Sequence, residues 1–595
     1  MRREKRSFRA GPALAGLLVL ALFLALGCQL AAPRATPTAV IAAATATPTP
    51  TSAEARAATS TAVQPTATSV PAAATSVPAT AIPEPATATP EPAGPTVVST
   101  AAPAGNELRL QSQEPETIDP ALVQDATSHS FVSLLFSGLV TLDSNLEVVP
   151  DLAERWEVDD TGTVYTFYLR QNAVFHSGRA VTAEDVLYSI DRACDPKRGS
   201  VQRAQSYLND IVGAMERTQG KASSISGLQV LDEHTIQITT DAPKPYFLSK
   251  LTYPTSFVVD KDNVEDTSRI WTTHPNGTGP FQMVNNGVTS MTLGAFDDYY
   301  RGRPSIDQIT FYYQGQAMNR YERGEIDVME VGIDNIDRVL DPNDPLHAEL
   351  RTVPQLDVWY IGFNASVPPF DDRDVRRAFA YATNKTAIAE IVYNKMVVPA
   401  TGILPPGMPG YNPDLEGLPY DPDLAAEALA ESTYGDASEL PPITLTVTDS
   451  STGEMYAEMY KQVLGVDVQV EVVDWGPYLN GLDNQAYQMF SLGWIGDYPD
   501  PQNFLDLLFH TDSAYNHGAY SNPAVDELLE AARTEQDHDA RMVLYQQAEQ
   551  LLVEDAAWIP IYHSNGYYLV KPYVKDLVIT GQGTMDLAAA RIELP

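Results

Sequence analysis

Ile443-Thr444-Leu445-Thr446-Val447-Thr448 alternates apolar and β-branched polar residues, and Val466-Asp467-Val468-Gln469-Val470-Glu471-Val472-Val473 repeats that pattern further on. A period of two in β-branched residues is the mark of a half-buried strand. Between them lies a segment carrying Tyr456 and Tyr460, four residues apart and so on one face of a helix. Two strands flanking a helix make the basic unit of an α/β fold.

Working outward, the same alternation of elements continues. Asn106-Glu107-Leu108-Arg109-Leu110 reads as a short strand where order begins, and Phe131 to Leu142 is apolar enough for burial. Val164-Tyr165-Thr166-Phe167-Tyr168-Leu169-Arg170 and His234-Thr235-Ile236-Gln237-Ile238-Thr239 read as strands. Thr182-Ala183-Glu184-Asp185 opens a helix, with Asp185 at capping-box distance from Thr182 and Val186, Leu187 and Ile190 on an apolar face. Asp374 to Ala382, Ala524 to Ala532 and Ala540 to Val553 are amphipathic helices. Mixed sheets in an α/β architecture follow, and no repeat of solenoid period is present in the sequence.

The 595-residue chain is too long for a single core. Its formal net charge of −39, with no basic run after Arg9, excludes nucleic acid as a partner, because such binding needs basic patches that displace counterions. Two cysteines, Cys28 and Cys194, supply no disulfide framework, and a lone Cys194 reads as a small buried residue.

Arg2, Arg3, Lys5, Arg6 and Arg9 precede an apolar stretch from about Ala13 to Leu26 that ends at Gly27-Cys28. That is the layout of a secretory signal, expected over residues 1–28. Cys28 directly after the glycine looks like a lipobox cysteine that receives diacylglycerol, although Ala25-Leu26 reverses the usual order. An uncleaved anchor helix is the rival reading, with a run short for a span of roughly 20 apolar residues. Residues 29–105 are almost wholly Ala, Thr, Pro, Ser and Val. Such a segment lacks the apolar groups that would offset its ordering entropy, so it reads as a disordered tether. In polyproline II its reach is on the order of 200 Å. Either way the globular part is expected outside the cytoplasm, held at the outer face of the membrane.

One stretch carries the strongest chemical signal: Gly493-Trp494-Ile495-Gly496-Asp497-Tyr498-Pro499-Asp500-Pro501. It sets Asp497 between the rings of Trp494 and Tyr498 on a backbone stiffened by two prolines. A carboxylate on rigid, partly apolar walls suits one cationic group, such as a peptide α-ammonium. A Pro-rich surface turn is the plain alternative. No Gly-x-Ser-x-Gly elbow, His-Glu-x-x-His pair, Ser-x-x-Lys triplet, P-loop or dinucleotide fingerprint occurs, so no enzyme is expected. Of nine histidines, His510 and His517 are the close pair just after Asp497, and they read as solvated loop residues rather than metal ligands. No metal and no cofactor is expected.

Several segments, in order, resemble the family 5 solute-binding proteins of ABC importers, which include oligopeptide- and dipeptide-binding proteins. They are Ile118-Asp119-Pro120 with Leu135-Phe136-Ser137-Gly138-Leu139, then Pro150-Asp151-Leu152-Ala153-Glu154-Arg155-Trp156 with Val174-Phe175-His176-Ser177-Gly178. Gly277-Thr278-Gly279-Pro280-Phe281, Arg323-Gly324-Glu325-Ile326-Asp327 and Gly362-Phe363-Asn364 through Asp372 continue the series, and the Asp497 stretch completes it. The resemblance implies a periplasmic-binding-protein-like type II two-lobed clamp with an additional small domain. Lobe I would take 106–138, 227–357 and 561–595, the small domain 139–226, and lobe II 358–560. It implies a monomer that captures an oligopeptide in the cleft, delivers it to ABC permease subunits and their ATPases, and catalyses nothing itself.

By the same resemblance Asp497 matches the position that holds the ligand's α-ammonium. Gly493 and Ile495 match positions whose backbone pairs with a peptide, and Trp494 and Tyr498 flank the anchor. Trp475 falls where relatives place a pocket aromatic. On the opposite lobe Gln124 to Thr127, Ala126 among them, and the region of Trp359 and Tyr360 are expected to face the cleft. The chain departs from the pattern in one respect. Neither Met396–Tyr460 nor Gln462–Ala532 contains a Lys or Arg to meet a ligand carboxylate. The carboxylate then protrudes or meets a lobe I base such as Arg109 or Arg320, or else the ligand is a sugar, a nickel or other metal chelate, or another solute.

Overall fold

The computed structural model describes residues 105–197 and 201–593. Signal, Cys28 and tether lie outside the described residues. Among the described residues no helix is long and apolar enough to cross a membrane.

The strand–helix–strand unit forms as its pattern dictates. Ile443–Val447 pairs in parallel with Val468–Val472, Ile443 opposite Val468. Ser450–Leu464 joins them as a helix that buries Tyr456, Tyr460 and Leu464. Asp449 caps its start, the carboxylate accepting from Thr452 N at 2.9 Å. Gly465 ends it with φ 73°, a left-handed conformation that costs glycine little.

This unit is one end of a twelve-stranded mixed sheet. The order runs Val468–Val472, Ile443–Val447, Met489–Ile495, Asp357–Phe363, Trp558–Val570, Val328–Glu330, Glu107–Gln111, Gln308–Tyr312, Ser290–Ala295 and Phe281–Asn286. Trp558–Val570 is the common member of both lobes. Its first part pairs with Asp357–Phe363, its last part with Leu350–Pro354 on the same side, while Val397–Pro399 and Val328–Glu330 also pair with it. Residues 350–363 and 558–570 therefore form an antiparallel ribbon that passes from one lobe into the other. The fold is mixed α/β with two lobes.

Asp357–Phe363 shows why both faces of the second lobe are covered. Successive side chains of a strand point to opposite faces. Val358 and Tyr360 belong to one core cluster, with Phe490, Leu492 and Trp558. Ile361 and Phe363 belong to the other, with Phe379, Leu445 and Tyr460.

The additional domain has its own four-stranded sheet, Ala153–Val158, Val164–Leu169, Thr235–Thr239 and Leu228–Asp232. Its last two strands lie beyond residue 226, where the small domain was expected to end. Residues 228–239 pair with Val164–Leu169 because Ile236 and Ile238 complete a core with Phe167 and Leu169. The expected cap at Thr182 is present, with Thr182 N donating to Asp185 Oδ2 at 2.9 Å. Cys194 is buried as expected, and burial pushes its thiol up to about 12. His510 and His517 are not the solvated loop residues that were expected. Both are buried, with His510 Nε2 3.4 Å from Glu530 and His517 Nε2 3.6 Å from Asp483. Among the described residues no cluster of three or more acidic, His or Cys side chains could hold a metal.

Glu549, on the helix His538–Glu554, is buried inside the second lobe. One carboxylate oxygen accepts from Ile403 N at 2.7 Å and Leu404 N at 2.8 Å. The other oxygen has no hydrogen-bond partner, and burial raises the carboxyl to about 7. A carboxyl raised on folding binds its proton more tightly in the folded chain. Its cost is therefore absent below the ordinary glutamate range and grows as pH rises toward 7. Glu549→Gln keeps an acceptor for both amides and carries no charge. Its stability gain over the parent, measured by urea unfolding, is expected to be larger at pH 8 than at pH 5.

Candidate functional site

Met489–Ile495 is a strand because Met489, Phe490 and Leu492 give it buried side chains on both faces. On one side it pairs with Asp357–Phe363 through its whole length. On the other, Ile443–Val447 reaches only Met489 and Phe490. Among the described residues no strand covers that second edge from Ser491 to Ile495. Gly493 and Ile495 lie on this open length.

The chain then turns at Gly496, whose N–H donates to Leu356 O at 2.8 Å. Gln582 from the C-terminal segment donates to Gly496 O at 2.8 Å and Asp497 O at 2.7 Å. Asn503 closes the turn. Its Oδ1 accepts from Asp497 N at 2.9 Å and from Trp494 Nε1 at 3.2 Å, and its Nδ2 donates to Asp497 Oδ2 at 3.3 Å. Asp497 is thus held from three directions, with its carboxylate pointing toward the first lobe.

There Tyr207, which falls in the stretch expected for the small domain but whose ring is buried with Leu108, Leu110, Ile309 and Phe311 of the first-lobe strands, donates its hydroxyl to Asp497 Oδ2. Tyr207 stacks on Tyr253, ring centroids 3.9 Å apart and planes 9° apart. Tyr253 donates to Val123 O at 3.3 Å and meets the His129 ring edge-on at 5.4 Å. Tyr498 and Tyr515 each present an edge to Tyr207 at 6.5 Å, and Trp494 packs against Tyr515 at 5.6 Å. The site is a carboxylate ringed by tyrosines. Among the described residues no cation pairs with Asp497. Burial raises its carboxyl to about 6, against the opposing pull of the Tyr207 and Asn503 hydrogen bonds.

The side chains predicted for the site separate into groups. Asp497 and Trp494 come together with the second-lobe Asn503 and Tyr515. Tyr498 is fully buried, its hydroxyl bonded to Gln502, and it lies in the same core cluster as Tyr207 and Tyr253. It packs into the core directly after Asp497. Trp359 does not lie on the opposite lobe. It sits across from Gly493 in the paired strand, 40% exposed, with its ring lying over Gly493 so that a Cβ there would approach to 2.9 Å. Tyr360 is 1% exposed and stacks on Trp558 at 3.4 Å. Adjacent strand residues cannot both face a cleft, so the expectation for Tyr360 is corrected: it is core.

Trp475 is 41% exposed at the start of the helix Trp475–Asp483, which is tied to the strand by Tyr478 donating to Ser491 O at 2.7 Å. Gln124 and Ala126 are exposed at the start of the helix Ala126–Leu135, beside the Val123 carbonyl that Tyr253 holds. Arg109 and Arg320, the first-lobe bases considered for a ligand carboxylate, are already engaged. Arg109 meets buried Asp327 at 2.6 and 3.1 Å, and Arg320 lies 4.7 Å over the Tyr312 ring and 3.7 Å from Glu325.

A family model described as bacterial extracellular solute-binding proteins, family 5 middle, matches residues 147–516. The chain is similar to the dipeptide-binding protein of Escherichia coli K12, 29% identical over 507 residues that span 80% of this chain and 93% of that protein. It is similar also to the periplasmic murein peptide-binding protein of that strain, 31% identical over 491 residues, 79% of this chain and 90% of the relative. It superposes on the E. coli murein tripeptide binding protein with a TM-score of 0.74 at 29% identity, covering 82% of this chain and 98% of the other. Against the unliganded open form of that protein the TM-score is 0.63, at 28% identity and the same coverage.

The placement of Tyr360 and Trp359 can be separated by substitution. Tyr360→Ala is expected to cost about 3–5 kcal/mol of stability, as for other large aromatics removed from a core, with ligand affinity of the folded protein unmoved. Trp359→Ala is expected to change stability little and affinity more. Urea denaturation and calorimetry read the two quantities.

Proposed function

Because this chain belongs to the bacterial extracellular solute-binding proteins of family 5, we propose that it captures oligopeptides between its lobes and hands them to an ABC import permease. The observation that carries this reading is the open edge from Ser491 to Ile495, which runs directly into Asp497. A free strand edge pairs with any peptide backbone and gives affinity without reading side chains. A carboxylate at its end defines where the chain of the ligand starts. An ammonium brought to Asp497 gains a charge-assisted hydrogen bond to a group whose cost of burial is already met by the fold. Relatives named for dipeptides and murein peptides support a peptide ligand for this chain too.

Within this reading Gly493 and Ile495 offer backbone groups, Trp494 and the exposed rings of Trp359 and Trp475 offer apolar walls, and Gln124 and Ala126 approach from the first lobe. No cationic partner for the ligand carboxylate is assigned. An oligopeptide whose far end reaches solvent needs none. ATP hydrolysis belongs to the permease's own subunits. Diacylglycerol on Cys28, with residues 29–105 as tether, keeps the monomeric binding protein at the outer face of the membrane.

Calorimetry with a peptide library tests the proposal. Asp497→Ala is expected to weaken free-amine peptides by roughly 10- to 100-fold, the equivalent of a hydrogen bond to a charged group. N-acetylated peptides are expected to bind the parent protein that much more weakly and to be indifferent to the substitution. Equal affinity for blocked and free amines removes Asp497 from the role. A cellodextrin that raises the melting temperature while peptides do not replaces the peptide reading with a sugar.

A further inference from the structure

Tyr207 joins the first lobe to Asp497 of the second, and its surroundings differ from those of an ordinary surface contact. Its ring is fully buried in the core cluster of the first lobe, stacked flat on Tyr253, and Tyr253 is itself pinned to Val123 O. The hydroxyl is therefore aimed by packing, not by a flexible stem. Its acceptor, Asp497, is equally fixed by Asn503 and Gln582. A second contact between the lobes lies beside it. Tyr246, also fully buried, lies 5.7 Å from the guanidinium of Arg541 on the helix His538–Glu554, and that guanidinium pairs with Asp500. Arg541 and Asp500 belong to the second lobe, and Asp500 is three residues beyond the anchor.

We propose that Tyr207 is the closure latch of the clamp: a positioning residue that joins the first lobe to the Asp497 carboxylate and so adds a fixed increment to the stability of the closed state. The proposal deepens the peptide-binding function above and rests on it for the role of Asp497 as anchor. The hydrogen bond exists only when the lobes meet. It therefore enters the closing equilibrium as a constant, whatever occupies the rest of the cleft. A ligand's apparent affinity is scaled by the fraction of protein able to close, so weakening the latch weakens all ligands by one common factor. Asp497 Oδ2 is the oxygen that Tyr207 and Asn503 share, which leaves Oδ1 without those two bonds.

Tyr207→Phe removes the hydroxyl and keeps the ring stack. Spin labels at the two ends of the large sheet, on Val284→Cys and Val472→Cys in the full chain carrying Cys28→Ser, report the distance between lobes. Without peptide, the latch predicts that Tyr207→Phe shifts the distance distribution toward the longer, open population. It also predicts an affinity loss of about 10-fold, the same for a free-amine peptide and its N-acetylated form. Tyr165→Phe, which loses a hydroxyl bond to Lys244 O at 3.3 Å away from the Asp497 contact, is the control expected to leave the distances unchanged. An unaltered distance distribution in Tyr207→Phe overturns the latch. So does an affinity loss confined to the free-amine peptide, which would make Tyr207 part of the amine site instead. If N-acetylation proves immaterial while Tyr207→Phe still opens the lobes, the anchor reading of Asp497 fails and the latch stands.

Discussion

Backbone pairing along Trp558–Val570 is the constraint on which both lobes hang. The strand bonds to Asp357–Phe363 in one lobe and to Leu350–Pro354 in the other, so the two sheets share a member and cannot separate. What the ribbon leaves free is bending where the pairing changes hands, between Pro354 and Asp357 on one strand and near His563 on the other. At that crossing Asp357 and His563 are buried. Asp357 accepts from Ser564 N at 2.7 Å and Trp359 Nε1 at 3.2 Å, and the His563 ring bonds to Asp357 O at 2.6 Å. Burial raises the Asp357 carboxyl and lowers the His563 imidazole to about 4, so His563 stays neutral near pH 7. A hinge of two paired strands allows rotation about itself and little else, which is the motion a clamp needs.

Away from that crossing the lobes meet around one carboxylate. Asp497 is bonded by neutral donors only, and removing it from water without a cation leaves its charged form short of compensation, hence the raised carboxyl. Such a site gains more from an arriving ammonium than a solvated carboxylate would. The tyrosines beside it leave Asp497 half-buried, and the one that bonds its carboxylate is neutral. On the proposed reading, closure and recognition draw on the same few atoms, Tyr207, Asn503 and the Asp497 carboxylate.

Much of the fold was legible in the chain. The alternation in Ile443–Val447 and Val468–Val472, the cap at Thr182 and the burial of Cys194 followed from local pattern and elementary chemistry. The Asp497 stretch stood out because a carboxylate between two aromatics and two prolines is an uncommon local arrangement. Other elements had no such signal. Tyr207 and Tyr253 are two of 29 tyrosines, and nothing in Gln205-Ser206-Tyr207-Leu208 distinguishes them. Asn503 was within reach, since an asparagine just after Asp500-Pro501 is well placed to close a turn. His510 and His517 looked solvated because their loop is polar, whereas acidic side chains from Glu530 and Asp483 cover them.

The sequence alone determined the class of each element, the chemical character of the Asp497 stretch and the family pattern, because these depend on periodicities and side-chain types within a few residues. Which of two neighbours stays exposed, which strands complete the four-stranded sheet and what meets Asp497 depended on pairing between distant strands. Trp359 and Tyr360 are equal as residues in a string. Only when Asp357–Phe363 takes its place between Met489–Ile495 and Trp558–Val570 does one ring fall over Gly493 and the other into the core. Tyr207 reaches Asp497 across 290 residues of chain for the same reason. The tertiary fold, not local preference, brings the two ends of that contact to one point.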